Sequence, residues 1–317
     1  MTDCPVLDVG GTHVQACRVD TMTWTVLPHT VHRTRLDSNG SAEAIIGAMA
    51  SCAQGLRLRP SETLAVAMPG PFDYAAGVGR FHGVGKFDAL AGFDVRRALL
   101  ARLAPPPREL VFINDAEAFG LGEWLAGSAR GHQRAVAITL GSGVGSAFVE
   151  AGNIVSSGSS VPPEGHVYRL LIRGRPLEEA VSRRAIVAAF RRAAPGAASA
   201  DLDVIDIAAR ALRGDEAAAR LVSEAFYLLG TTLAPWLMRF GAEILVVGGG
   251  LTGAWPLIDA PLCSGLAETT CHVPVVRSGD TEAATAAGAA WHGTAGPSRR
   301  PRASQVRADL EDLGNGS

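Results

Sequence analysis

Cysteine, net charge and long apolar runs are all in short supply, and each shortage closes off a class of answers. The 317 residues hold five cysteines, Cys4, Cys17, Cys52, Cys263 and Cys271. The number is odd and no two form a CxxC pair, so neither a disulfide framework nor a zinc ribbon is expected. Reduced, mostly buried thiols in a cytosolic protein fit the count. The formal net charge is −2. A nucleic-acid partner would call for a strongly basic face, so none is expected. A small anionic ligand stays open, because net charge describes the whole surface and not a pocket. There is no run of about 18 apolar residues, and no membrane span is expected. Residues 1–9 are too short and too polar for a signal peptide, which makes cytoplasmic the expected location.

What is present is a globular composition, 47% hydrophobic and 19% charged. At about 150 residues per domain the length suggests two domains. Val6-Leu7-Asp8-Val9, Gly10-Gly11-Thr12 and the apolar stretch from His13 to Val19 read as two strands around a glycine turn. Residues 24–34 can supply a third strand. A helix is expected over 41–53 with Ser41 as its N-cap, a buried strand over 63–68, a helix over 95–103, a strand over 110–113 and a helix over 116–125.

The pattern then restarts. Residues 135–140 read as a strand, Gly141-Ser142-Gly143-Val144-Gly145 as a glycine turn, and 146–150 as another strand. Two copies of one supersecondary unit suggest two related domains. Helices are expected over 177–194, 204–212, 216–240 and 281–291, and a strand over 244–247. From about Gly296 onward the apolar positions lose any period, and a disordered tail is expected over 295–317.

Four elements carry the chemistry together. Glycines in the turn Asp8-Val9-Gly10-Gly11-Thr12 let a backbone approach a ligand, and its N–H groups favour an anion such as phosphate. Thr12 can add a hydroxyl donor, and Asp8 can hold Mg²⁺ through water. An ordinary tight hairpin is the plain alternative. The turn Gly141 to Gly145 has the same physics; it lacks the Gly-Lys-Ser/Thr ending of a P-loop, and it joins two strands where a dinucleotide fingerprint would open a helix. Asn114-Asp115 follows a buried strand at the start of a helix, the carboxyl edge where ligands of open α/β folds bind. Asp115 can accept a hydroxyl proton in phosphoryl transfer, or it can serve only as a helix cap. Gly248-Gly249-Gly250 after a strand can take a flat ligand on the backbone, or can simply be a helix entry turn.

In this order the four elements resemble the actin, sugar kinase and Hsp70 superfamily, and more closely the ROK family of sugar kinases and repressors. Met68-Pro69-Gly70-Pro71-Phe72-Asp73 is similar to the family's PGP(V/F)D, Asn114 to Glu123 to its NDANAAALGE, and Leu177 to Ile186 to its LEAYASGRAI. The resemblance covers roughly residues 4 to 293. It implies a two-lobed actin-like α/β ATPase fold with ribonuclease H-like domains, ATP and Mg²⁺ as cofactors, and a homodimer. It implies phosphate contacts at Asp8, Gly10, Gly11, Thr12, Gly141, Ser142, Gly143 and Gly145. It implies adenosine contacts at Gly248, Gly249 and Gly250, and Asp115 as catalytic base. It also implies substrate contacts at Asn114, Glu164, His166 and Glu178. One lobe is expected over 1–116 plus 281–294 and the other over 117–280.

Departures from the family pattern bear on the substrate. The family's CxCGxxGCxE zinc loop has no counterpart between His166 and Glu178, which contains no cysteine, so no structural zinc is expected there. Pro163 stands where a glutamate is usual, with Glu164 one place on. No asparagine occurs in residues 83–95, where the family has a sugar-contacting one; Lys86 in that stretch could contact the substrate or a phosphate, and reads first as a solvated loop lysine. These changes suggest an acceptor other than plain glucose, a modified hexose, amino sugar or cyclitol. The family's repressors carry an added N-terminal DNA-binding region; Asp8 opens the phosphate motif here and no room for one is expected. A non-catalytic sugar-responsive regulator or binding protein is the alternative reading.

Overall fold

The structure, a computed structural model, describes residues 2–194 and 202–294. The tail expected over 295–317 lies outside the described residues. The first half runs β1 (Asp3–Val9), β2 (His13–Asp20), β3 (Thr25–Val26), β4 (His32–Arg35), α1 (Ala42–Gln54), β5 (Thr63–Met68), β6 (Phe72–Asp73), β7 (Val78–Gly79), α2 (Val95–Leu100), β8 (Glu109–Asn114) and α3 (Asp115–Ala126). The second runs β9 (Arg134–Leu140), β10 (Val144–Glu150), β11 (Asn153–Ile154), β12 (Leu171–Ile172), β13 (Arg175–Pro176), α4 (Glu178–Val181), α5 (Arg183–Ala193), α6 (Val204–Leu212), α7 (Glu216–Phe240), β14 (Ile244–Gly248), α8 (Trp255–Ala267), β15 (Val275–Arg277) and α9 (Thr281–Thr294).

Two sheets repeat one topology. In the first, the order is β3-β2-β1-β5-β8, with β1 and β2 an antiparallel hairpin and β5 and β8 parallel to β1. In the second, the order is β11-β10-β9-β14-β15, again a hairpin (β9–β10) followed by two parallel strands. The duplicated hairpin legible in the sequence is therefore a duplicated sheet. The central strands are buried on both faces, which is why Val6-Leu7 and Leu245-Val246-Val247 read as continuous apolar runs and do not alternate.

Between the sheets lie α3 and α9. One buried cluster takes in Val6, Ala65 and Ile113 from the first sheet, Phe119 and Leu121 from α3, Ala137, Val149 and Val246 from the second sheet, and Ala286, Ala289 and Ala290 from α9. Small residues let the two helices approach closely. A Cβ added at Gly122 would lie 1.7 Å from the Ala284 carbonyl oxygen, and one at Gly288 would lie 1.9 Å from that of Ala118. No side chain fits at such separations in a close-packed interior. The alanine-rich character of 281–294 is thus a packing requirement.

Each sheet's outer face carries its own core. Ile45, Ile46 and Met49 of α1 cover the first sheet together with Phe81, Phe87 and Phe112. The second sheet is covered by Val136, Phe148, Leu229, Leu233, Leu237 and Ile258 among others. Among the described residues, α7 is long and apolar enough by length and composition to cross a membrane, with a mean hydropathy of 1.2 over its best window. Its Val222, Phe226, Leu229 and Leu233 are fully or almost fully buried in the second core, packed beside α8.

Several local expectations are corrected. The helix expected over 177–194 breaks at Ser182, whose extended backbone ends α4 and whose hydroxyl accepts from the Ala185 N–H at 3.3 Å to cap α5. The third strand expected over 24–34 is split by a turn at Pro28–Thr30. The helix over 95–103 stops at Leu100. Helix α8 has no counterpart among the expected elements. Gly145 belongs to strand β10, paired with Thr139, so the second turn proper is Gly141 to Gly143.

Candidate active site

The parallel strands β1, β5 and β8 end side by side, and their register sets the site. Asp8 pairs with Ala67, and Met68 pairs with Asn114. Asp8 and the Asn114-Asp115 pair therefore sit at one edge of the sheet, two strands apart, roughly 10 Å by strand spacing.

At the end of β8 the capping chemistry decides which side chain is free. Asn114 is the N-cap of α3: its Oδ1 accepts from the N–H groups of Ala116 at 3.0 Å and Glu117 at 3.2 Å. Its Nδ2 donates to the Tyr74 hydroxyl at 2.9 Å, and that hydroxyl donates to the Met68 carbonyl at 3.2 Å. Asp115 is the first helical residue and is not needed as the cap. Its Oδ1 accepts only from the Ala116 N–H at 2.9 Å, leaving the rest of a half-buried carboxyl for a ligand.

The carboxyls in this cleft press on one another. Burial pushes Asp115 above the ordinary range, while the Lys86 ammonium and the Ala116 N–H pull it back. Burial, then the Asp115 charge, raises Glu117 to about 7. Burial, then Asp115 and Glu282, raises Asp8 to about 7. A desolvated carboxyl flanked by other carboxyls is a poor anion by itself and a good place for a divalent cation. That donor chemistry fits the Mg²⁺ expected at Asp8. Among the described residues no cluster of three or more His, Cys, Asp or Glu has metal-holding geometry.

The two glycine turns differ in how tightly they are held. In the first, the Gly10 N–H donates to the His13 carbonyl at 2.9 Å, and Thr12 Oγ1 stands 3.3 Å from His13 Nδ1. In the second, the Gly141 N–H donates to the Gly143 carbonyl at 3.0 Å. A Cβ at Gly141 or Gly250 would meet nothing within 4 Å, so these backbones face open space that a ligand can fill. Gly143 and Gly145 are crowded: a Cβ would fall 2.3 Å from Glu178 Oε1 at Gly143, and 2.6 Å from the Ala116 Cβ at Gly145. The second turn is thereby pressed against the start of α3, next to Asp115.

Gly249 has φ of +91° and would drive a Cβ to 2.4 Å from the Leu140 carbonyl oxygen, so only glycine serves there. Its N–H donates to Thr281 Oγ1 at 3.0 Å. The third glycine element is in this way tied to the N-terminus of α9, whose Glu282 is ion-paired with Arg33 and lies 3.6 Å from His13 beside the first turn.

Of the residues expected at the substrate, Glu178 accepts from the Val144 N–H at 3.3 Å and so lies on the second turn. His166 is half-buried and stacks on Tyr168 with ring centroids 5.2 Å apart. Burial lowers its pKa; Arg169 adds to this and Glu164 opposes it. Its Nδ1 is buried without a hydrogen-bond partner, the Glu164 carboxylate stopping at 3.6 Å. Such an orphaned ring nitrogen calls for a ligand. Glu164 is exposed, with φ of +58°, and its carboxylate pairs with Arg169 at 2.7 Å.

Two residues of the neighbourhood escaped the sequence reading, and a third, Lys86, was ranked below its plainer alternative. Tyr74 carried no local signal. Glu117 stood in plain view two positions past Asp115 but was given no role. Lys86 read as a solvated loop lysine, yet it is half-buried and its charge reaches Asp115. The signal that could have flagged it is composition: of 29 basic residues it is the single lysine.

The chain matches the ROK family over residues 4–293. It is 28% identical over 224 residues to a glucokinase of Thermotoga maritima, a match covering 62% of this chain and 66% of that relative, just under two thirds of its length. Among solved structures it resembles a ROK hexokinase from Thermus thermophilus, at 24% identity and TM-score 0.70 over 91% of this chain and 96% of that one. It also resembles a ROK family glucokinase from Streptomyces griseus in complex with glucose and AMPPNP, at 22% identity and TM-score 0.73 over 91% and 98%. Both likenesses carry the two-lobed actin-like ATPase fold.

Proposed function

The chain belongs to the ROK family, and we propose that it transfers the terminal phosphoryl group of ATP to a hydroxyl of a sugar or sugar-like polyol, with Asp115 as general base. The observation that carries this reading is the division of labour at the start of α3. Asn114 takes the cap, and Asp115 keeps a carboxyl beside the second glycine turn. A carboxyl whose pKa is raised by burial is better suited to take a proton than an exposed one.

In this reading the lobes are 1–116 plus 281–294 and 117–280, with the nucleotide between them. The N–H groups of the turns at Gly10 to Thr12 and Gly141 to Gly143 hold phosphate oxygens, and Gly248 to Gly250 flank the adenosine. Asp8 would hold Mg²⁺ through water, and the ion when bound offsets phosphate charge. The acceptor lies against Asn114, Asp115, His166 and Glu178, with His166 Nδ1 gaining the partner it lacks. Glu164 joins only by breaking its pair with Arg169. As the acceptor oxygen bonds to phosphorus, its proton passes to Asp115, and the bond pair to the leaving oxygen goes to ADP. Closure of the cleft keeps water from competing.

The acceptor is a modified hexose, an amino sugar or a cyclitol, because two pocket segments, around Pro163 and over 83–95, depart from the glucose-type pattern. The oligomer in this reading is a homodimer.

The test is an ADP-release screen with Mg–ATP against hexoses, N-acetylhexosamines, amino sugars and C7 cyclitols, with Asp115→Asn as the control. Turnover on one class that falls about 10²- to 10⁴-fold in the variant is the expected result. Unchanged turnover in Asp115→Asn overturns the base. Silence on every acceptor from folded, ATP-binding protein favours a non-catalytic sugar-responsive regulator.

A further inference from the structure

The loop that carries the chain's single lysine is more elaborately held than a solvated loop requires. Gly83 and Gly85 both take positive φ, +68° and +77°, and a Cβ at either would meet nothing within 4 Å. Packing does not demand glycine at these points; the turn does. Asp88 Oδ1 then accepts from the N–H groups of Val84 at 3.1 Å and Gly85 at 3.3 Å. Phe87 follows in a left-handed conformation with its ring fully buried, 5.3 Å from Phe81. Lys86 is therefore fixed between a tied turn and a buried aromatic anchor.

The same anchor connects Lys86 to the first glycine turn. The Phe87 N–H donates to the Ser38 carbonyl at 2.7 Å, and the Ser38 N–H donates to the Gly11 carbonyl at 3.2 Å. Two hydrogen bonds thus separate the residue after Lys86 from the turn that would hold the terminal phosphate. On the other side, the Lys86 charge acts on Asp115. Around this point stand Asp8, Asp115 and Glu117, to which a nucleotide triphosphate would add still more negative charge. Arg33, the nearby guanidinium, is engaged by Glu282 and Gln15. The chain uses arginine at 28 of its 29 basic positions. Its one lysine supplies a compact, mobile point charge where a planar fork would span several oxygens at once.

We infer that Lys86 is the cation of the transfer point: its ammonium engages the oxygens of the transferring phosphoryl group, between the Gly10–Thr12 turn and Asp115. This rests on the kinase reading above. Lys86 offsets charge on the phosphoryl oxygens while the acceptor proton goes to Asp115 and the bond pair to ADP. The same ammonium pulls the Asp115 pKa down against the burial that raises it.

Because the chain has one lysine, amine chemistry tests this without knowledge of the acceptor. The protein is trace-labelled with acetic anhydride, and the Lys86 peptide is separated from the N-terminal amine by mass mapping. Labelling is run with Mg–AMPPNP, with Mg–ADP and with neither, after binding of each has been measured by calorimetry. The inference expects Mg–AMPPNP to suppress acetylation of Lys86 about tenfold and Mg–ADP to change it less than twofold. Equal protection by both, or none from bound Mg–AMPPNP, overturns it while leaving the kinase reading intact. Failure of both nucleotides to bind overturns the kinase reading and this inference with it. Independently, Lys86→Met should weaken Mg–AMPPNP binding about tenfold or more and leave Mg–ADP within twofold, with Lys86→Arg intermediate. Equal affinities of wild type and Lys86→Met for Mg–AMPPNP also overturn it.

Discussion

Asn114 Nδ2 donates to the Tyr74 hydroxyl at 2.9 Å, joining the end of β8 to the loop after the Pro69-Gly70-Pro71 turn. The hydroxyl in turn donates a hydrogen bond to the Met68 carbonyl at 3.2 Å. Asn114 is held at both ends of its amide, by Tyr74 and by the two N–H groups it caps. The orientation of Asp115 follows from that grip.

Tyr74→Phe removes the acceptor of this bond and leaves Nδ2 facing a phenyl edge. The expected cost is about 1 kcal/mol of stability, with a rise in acceptor KM as the Asn114 amide loosens. Asn114→Ala loses the cap as well and should cost about 2 kcal/mol. Thermal melts and steady-state kinetics on both variants check this; a Tyr74→Phe protein identical to wild type in both would remove the tether from the argument.

Glycine-to-alanine changes should separate the open positions from the crowded ones. Gly145→Ala forces a methyl to 2.4 Å from Thr139 Oγ1 and to 2.6 Å from the Ala116 Cβ, which has no torsion to carry it away. Overpacking of this kind costs about 1–3 kcal/mol and shifts Asp115, so kcat should fall by at least tenfold. Gly141→Ala meets nothing within 4 Å in the protein itself. Its stability should be unchanged, and any loss should appear in nucleotide affinity. Parallel melts and Mg–AMPPNP titrations read the two effects separately.

Glu117 makes stability depend on pH in a definite direction. Its folded pKa, about 7, lies above the ordinary glutamate value of 4.5. The native state therefore binds more protons than the unfolded state between those values, and this group's contribution falls as pH rises from about 4.5 to about 7. Glu117→Gln should melt like wild type at pH 4 and above it at pH 8, with nucleotide-free protein in both cases. A difference already present at pH 4 would point to packing instead.

Far from the cleft, Arg18 and Glu62 form an ion pair at 2.7 Å with the glutamate almost wholly buried. Burial alone would raise Glu62, but hydrogen bonds from Arg18 and Arg59 outweigh it and bring the carboxyl down to about 2. Its contribution is present above the ordinary glutamate range and is lost as pH falls toward 2. Glu62→Ala strands a charge on Arg18 and should cost about 3 kcal/mol, the low end because Asp3 and the Leu56 carbonyl remain as partners. Urea unfolding at pH 7 measures it; the gap between variant and wild type should close in strong acid.

Much of this protein was legible in its sequence for a local reason. Glycine turns, strand ends and caps involve residues a few positions apart, so Asp8 to Thr12, Gly141 to Gly143 and Asn114-Asp115 announce themselves through backbone freedom and hydrogen-bonding type. The duplicated hairpin also follows from local apolar periodicity, and with it the two-sheet architecture. The helix over 177–194 was misjudged because a serine can sit inside a helix or cap the next one, and the neighbouring chain selects between them. Whether Asp115 caps α3 was a similar tie, and Asn114, held by Tyr74 from 40 residues away, takes the cap instead. Lys86 meeting Asp115, Gly145 pressing on Ala116 and Thr281 holding Gly249 depend on which faces pack together. Such contacts join segments whose local preferences carry no record of one another, so the tertiary structure alone could decide them.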